Sequence, residues 1–306
     1  MNNKRLIAVG AIFLAILAVF VLYRVGLFRC MSGAGKFAKP SAKSVEQLLN
    51  KGDEQAALKE ISAIIGKNPE SALAESALFS LASFYENKAD LIKARDTFQK
   101  IVDKFPNSPR IAKLQEALDN VNVKIIFSSI STPDSFVYEV KRGDSLVKIA
   151  KKFNTTVELI TKSNNIQGET IRIGRRLKVT KANFSISVDK SQNILTLKSD
   201  GQILKTYRVS TGRNNSTPTG KFTVTSKIVD PPWYTPSGEV IQPTDPKNIL
   251  GTRWIGISAP SYGIHGTTEP KTIGKAVTSG CVRMKNQDVE ELYAIVPEGT
   301  EVSIED

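Results

Sequence analysis

The chain has 306 residues, 41% hydrophobic and 24% charged. That is an ordinary globular composition, which excludes a disordered or collagen-like protein and sets a length of about two domains with an attached segment. The net charge of +12 comes without a basic motif of a nucleic-acid-binding kind, so no nucleic acid is expected and an anionic polymer is the simpler partner. Two cysteines supply no disulfide framework, and a single histidine without a Cys-x-x-Cys pair argues against zinc. No metal or cofactor is expected.

The charge is uneven: +7 over residues 1–43, −2 over 44–136, +7 over 137–182 and zero over 183–306. Residues 6–22 form an uncharged apolar run of seventeen, flanked by Lys4-Arg5 and by Tyr23-Arg24. That is the short end of a transmembrane helix and longer than the apolar region of a usual cleaved signal, although Ser32-Gly33-Ala34 leaves export after cleavage open. Residues 1–43 are therefore expected to be a membrane anchor and linker. Counting basic residues on the two flanks mildly favours the opposite orientation. Cys30, behind Arg29, reads as a thiol at the membrane edge with no assigned role.

Residues 44–130 are expected to be helical, with Leu, Ile and Ala recurring at three and four. Ala57, Ile61, Ile64 and Pro69 recur thirty-seven residues on as Ala94, Phe98, Ile101 and Pro106. Leu78, Leu81, Ala82 and Tyr85 precede the second set, and the pattern resembles two tetratricopeptide repeats. Two units are fewer than a free-standing array needs, so they pack on residues 111–127 or on a protein partner. The alternative is a plain helical spacer.

Residues 136–182 alternate into a strand, turn at Gly143-Asp144, and offer Asp144 or Ser145 as a helix cap. With Tyr138, Val140, Leu146, Ile149-Ala150, Asn164-Asn165, Gly174 and Leu177-x-Val179, they resemble a LysM domain and read as βααβ. The resemblance implies N-acetylglucosamine-containing glycans as ligand. It places their groove between Gly143, Asp144, Ser145 and Leu146 on one loop and the loop from Asn165 to Gly168 on the other.

Residues 183–306 hold the only histidine, His265, sixteen residues before Cys281. A cysteine is a strong nucleophile only as thiolate, and a nearby imidazole is a common means of lowering its pKa from about 8.5. The segments Ile264-His265-Gly266-Thr267 and Thr278-Ser279-Gly280-Cys281-Val282-Arg283-Met284, with Val209-Ser210-Thr211-Gly212 and Thr217-Pro218-Thr219-Gly220 upstream, resemble the YkuD-type L,D-transpeptidase catalytic domain, a mostly-β fold. Ser279 stands where many members carry a second histidine.

The resemblance implies that Cys281 is the nucleophile and His265 the base, the latter oriented by the carbonyl of Gly266. Gly280 and Cys281 would line the oxyanion hole, and Ser279 would meet substrate. Arg283, on the side of Cys281 if the segment is extended, suits a substrate carboxylate or else a structural salt bridge. An ion-paired thiolate–imidazolium is expected at rest. The substrate implied is a peptidoglycan tetrapeptide stem, cleaved before its terminal D-Ala and passed to the side-chain amine of another stem as a 3→3 cross-link. Two alternatives stay open: a thiol L,D-carboxypeptidase that trims stems with water, and a non-catalytic tether held to the wall by LysM. The whole is thus expected to be a multidomain envelope protein, single-pass in the inner membrane or exported, with stem peptides, glycan strands and the membrane as partners. Residues 230–250 carry five prolines and read not as a strand but either as a wall or lid of the cysteine's cleft or as a rigid surface loop packing Trp233 into the core.

Overall fold

The computed structural model describes residues 41–306 apart from Pro236. The apolar run at 6–22 and Cys30 lie outside the described residues. Within them, no helix is long and apolar enough to cross a membrane.

Five helices come first: α1 Ala42–Asn50, α2 Glu54–Lys67, α3 Ala72–Asn87, α4 Leu91–Lys104 and α5 Ile111–Ile126. The repeat positions Ala57, Ile61 and Ile64 on α2, and Ala94, Phe98 and Ile101 on α4, are all buried in one core. The repeat extends to the caps. Asp53 accepts from the Ala56 N–H and Asp90 from the Lys93 N–H, again thirty-seven residues apart.

The next module is β1 Ser135–Glu139, α6 Leu146–Lys152, α7 Val157–Ser163 and β2 Arg176–Thr180, with β1 and β2 antiparallel. This is the βααβ order expected. Ser145, not Asp144, caps α6 by accepting from the Lys148 N–H. Asp144 instead closes the turn, accepting from the Tyr138 hydroxyl and the Lys141 N–H.

The remainder is built on strands β3 Phe184–Asp189, β4 Ile194–Ser199, β5 Gln202–Arg208, β6 Thr211–Gly212, β7 Gly220–Val229, β8 Trp233–Tyr234, β9 Val240–Ile241, β10 Arg253–Ile257, β11 Gly263–His265, β12 Ala276–Thr278, β13 Val282–Arg283 and β14 Glu301–Glu305, with α8 Asn286–Ile295 before the last. Eight of them form one mixed sheet in the order β13-β11-β10-β7-β14-β3-β4-β5. Its core alternates along the strands, as with Ile186 and Val188 on β3 or Val302 and Ile304 on β14, and α8 adds Val289, Leu292 and Ile295. The proline-rich segment departs from the expectation of no strand: β8 and β9 pair as a two-residue hairpin. Pro231 and Pro232 precede the paired residues and Pro243 follows them, so no proline removes a ladder N–H.

The modules are joined by side chains. Helix α5 lies along the edge strand β5, where the Asp119 carboxylate accepts from the Thr206 N–H at 2.8 Å and the Asn122 amide donates to the Leu204 carbonyl at 3.3 Å. Thus α5 supplies the partners that a further strand would have supplied. Lys178 of β2 is buried, and its ammonium donates to the carbonyls of Ile125 (3.1 Å), Ile126 (3.4 Å) and Ser128 (2.9 Å) at the C-terminal end of α5. A cation there meets the negative end of the helix dipole. Thr156, the cap of α7, donates to the Ala294 carbonyl of α8.

Candidate active site

Strands β11 and β13 run parallel, with Ile264 beside Val282 and His265 beside Arg283. Ile264 and Val282 point into the core. Alternation then turns His265, Arg283 and Cys281, which immediately precedes β13, to the opposite face. The strand pairing therefore brings the two halves of the motif together.

The turn before Cys281 is held by Thr278. Its hydroxyl donates to the Cys281 carbonyl at 2.7 Å and accepts from the Gly280 N–H at 3.1 Å. The Gly280 N–H is therefore engaged within the turn, in contrast to the oxyanion role expected of it, and the Cys281 N–H is the remaining candidate of the pair. Gly280 has φ of 132°, and a Cβ there would strike the Tyr262 ring and the Ser216 carbonyl, so only glycine fits. Gly212 of the upstream signature lies against Gly280 and donates its N–H to the Thr217 hydroxyl at 2.7 Å. The upstream motif thus braces the turn that carries the cysteine. Ser279 is exposed at its rim.

His265 is buried, with its Nδ1 2.7 Å from the Gly266 carbonyl oxygen. A carbonyl only accepts, so Nδ1 carries the proton and Nε2 is the free base. Asn286 at the start of α8 accepts from the Thr267 N–H at 2.9 Å and from the Thr252 N–H at 3.4 Å, which ties the residue after that carbonyl to the segment entering β10. Sequence reasoning missed Asn286, because a polar residue opening a helix carries no mark of what its side chain reaches.

Burial sets the charge states. It drives the imidazole down to about 4, and the Arg283 guanidinium pushes the same way, while the carbonyls of Gly266 and Leu250 pull against them. Burial also raises the Cys281 thiol, opposed by the Gly263 N–H and by Arg283. The thiol donates to the Ser261 carbonyl at 3.9 Å. Both directions favour a neutral thiol and a neutral imidazole at rest, in contrast to the ion pair expected from the residue types. The cause is desolvation, which no motif displays.

Arg283 is buried. One terminal nitrogen donates to Glu269 at 3.1 Å and to Thr272 at 3.2 Å, while its buried Nε has no partner among the described residues.

A cavity of about 300 Å³ opens beside Cys281, lined by Ile228, Pro231, Pro232, Trp233, Tyr234, Leu250, Trp254 and Ser261. The proline-rich segment supplies five of these walls, and both tryptophans of the chain are among them. Among the described residues, no charged side chain lines the cavity. It suits an uncharged or aliphatic part of a ligand brought against a sulfur nucleophile.

The LysM-like candidates divide differently. Leu146 is buried in that module's core with Ile149 and Leu177, so it supports the loop from beneath instead of facing a ligand. Gly143 at φ 85° and Asn165 at φ 48° form exposed turns. Asn164, not singled out from the sequence as a ligand residue, bonds both ways with Lys178 of β2.

The L,D-transpeptidase catalytic domain family, YkuD, matches residues 183–304, and the LysM domain family matches residues 138–180. The protein provisionally named L,D-transpeptidase YkuD in Bacillus licheniformis is 34% identical over 176 residues, covering 55% of this chain and 98% of that one. Its namesake in Bacillus subtilis is 35% identical over 174 residues, covering 55% and 97%. A second Bacillus subtilis protein, provisionally named L,D-transpeptidase YqjB, is 39% identical over 127 residues, covering 40% of this chain and 70% of the other.

Proposed function

Because the chain belongs to the YkuD family of L,D-transpeptidases, we propose that Cys281 is the nucleophile that carries this activity, with His265 as its base. The observation that supports the pair most is the Nδ1–Gly266 bond, which leaves Nε2 as the proton acceptor on the face shared with Cys281.

The thiol proton passes to Nε2 as sulfur attacks the carbonyl carbon before the terminal D-Ala of a tetrapeptide stem. The oxyanion is met by the Cys281 N–H. The C–N bond breaks, the imidazolium returns its proton to the departing D-Ala amine, and a thioester remains. An amine of a second stem then attacks the thioester, loses its proton to His265, and the new amide leaves as the proton returns to sulfur. Water in place of the amine would give the trimming reaction instead. Arg283 lies beside this path, and its guanidinium, ion-paired to Glu269, suits a substrate carboxylate, while Ser279 stands at its rim.

The LysM module would hold the glycan through the exposed turns of Gly143–Ser145 and Asn165, with Leu146 beneath them. Both modules act on or bind peptidoglycan in this reading, which places the chain in the cell envelope, and the apolar run at 6–22 would anchor it there.

The test is release of D-Ala from tetrapeptide stems. Cys281→Ala should remove several orders of magnitude of turnover with an unchanged melting temperature. Substantial residual turnover would end the assignment. Salt-resistant binding of the Cys281→Ala chain to purified peptidoglycan, competed by chitin oligomers, tests the glycan groove.

A further inference from the structure

Trp254 on β10 pairs in register with His265 on β11, and their rings lie nearly parallel, 18° apart with centroids at 5.9 Å. The indole rests against Gly263 and passes close to Gly256, where a Cβ would first meet the Ser226 hydroxyl. A Cβ at Gly263 would lie 2.7–2.8 Å from its six-membered ring, and one at Gly256 would lie 3.0 Å from its Nε1. The same indole walls the cavity beside Cys281.

Every mechanism through His265 passes through a buried imidazolium. The charged groups facing it are unhelpful: Arg283 on β13 is a cation, tied to Glu269, and the hydrogen-bond partner at Nδ1 is a carbonyl, not a carboxylate. Cys281 becomes its counter-ion only for as long as the thiolate lasts. The face of an indole attracts a stacked cation through its quadrupole, most strongly where water is excluded.

We propose that Trp254 is a positioning residue that stabilises the imidazolium form of His265 by stacking on it, and so raises the small population of thiolate–imidazolium pair from which Cys281 reacts. The proposal rests on the assignment of Cys281 and His265 above. It gives a reason for glycine at position 263 on β11, where a Cβ would strike the indole.

The experiment is alkylation of Cys281 by iodoacetamide in the full chain, in a Cys30→Ser background, read by peptide mass at pH 6.5 and pH 10.5. At pH 6.5 the reactive form needs the imidazolium. At pH 10.5 the thiolate forms without it. Trp254→Leu should slow alkylation about tenfold to thirtyfold at pH 6.5 and leave the rate at pH 10.5 within about twofold, while Trp254→Phe, which keeps a weaker π face, should fall between. A Trp254→Leu rate equal to wild type at pH 6.5, or lowered equally at both pH values, overturns the proposal. If Trp254→Leu does not fold, Trp254→Phe decides, and a wild-type rate at pH 6.5 overturns it. A His265→Ala rate equal to wild type at pH 6.5 overturns the base assignment itself, and with it this proposal. A slowed His265→Ala beside an unaffected Trp254→Leu overturns only this one.

Discussion

Lys178 and Arg283 are both buried cations, yet they are held in opposite ways. Lys178, where β2 meets the end of α5, places its ammonium against three backbone carbonyls. Arg283 in the cleft bonds through one terminal nitrogen to an exposed glutamate and a threonine, and its Nε is left without a partner. A cation that serves the fold has its donors used up, because each one left over costs desolvation energy. A cation with a donor to spare is kept in that state by something other than stability. Cleft and junction should therefore answer differently to perturbation, one in rate and the other in melting.

The largest effect should come from acid. His265 has a folded pKa near 4, below its ordinary value near 6.5, so the unfolded chain binds a proton that the folded chain refuses. Its contribution is unaffected above about pH 6.5, and stability falls through that window towards pH 4, by about 3 kcal/mol. The difference in urea midpoint between wild type and His265→Ala, followed from pH 7 to pH 4, isolates this loss. A constant difference would contradict the buried neutral imidazole. Next, Arg283→Gln should lower kcat/KM about a hundredfold while moving the melting temperature little. If melting collapses and the rate per folded molecule holds, Arg283 is a second Lys178 and the contrast fails. Lys178→Met should do the reverse, costing about 2 kcal/mol through the stranded carbonyls, with kcat/KM unchanged. Smallest, Asp119→Ala should cost about 1 kcal/mol by freeing the Thr206 N–H, read by denaturation and again silent in rate.

Much of this was legible from the residues. The thirty-seven-residue period gave α2 and α4 as equivalent helices, since burial at Ala57 and Ala94 demands the same face twice. The βααβ order followed from a strand, a Gly-Asp turn and two short periodic runs. The proximity of His265 and Cys281 followed from a resemblance, and the parallel pairing of β11 with β13 is its physical basis. What stayed hidden was set by partners distant in the chain. Asn286, Trp254 and Lys178 each act on a segment that no local pattern links to them. The protonation states of the pair depend on how much water the fold removes, and the residue types alone favoured the opposite balance. The β8–β9 hairpin escaped because the density of prolines outweighed the four residues between them that could pair.

The hold of α5 on β5 reaches beyond geometry. Asp119 and Asn122 occupy main-chain groups at the end of an eight-stranded sheet. Cut away at residue 183, the catalytic domain would keep its sulfur and imidazole but offer a bare strand, free to recruit the same strand of another molecule. Such a fragment should self-associate in a concentration-dependent manner where the longer chain stays dispersed. The helices ahead of the enzyme would then act as its built-in guard against aggregation.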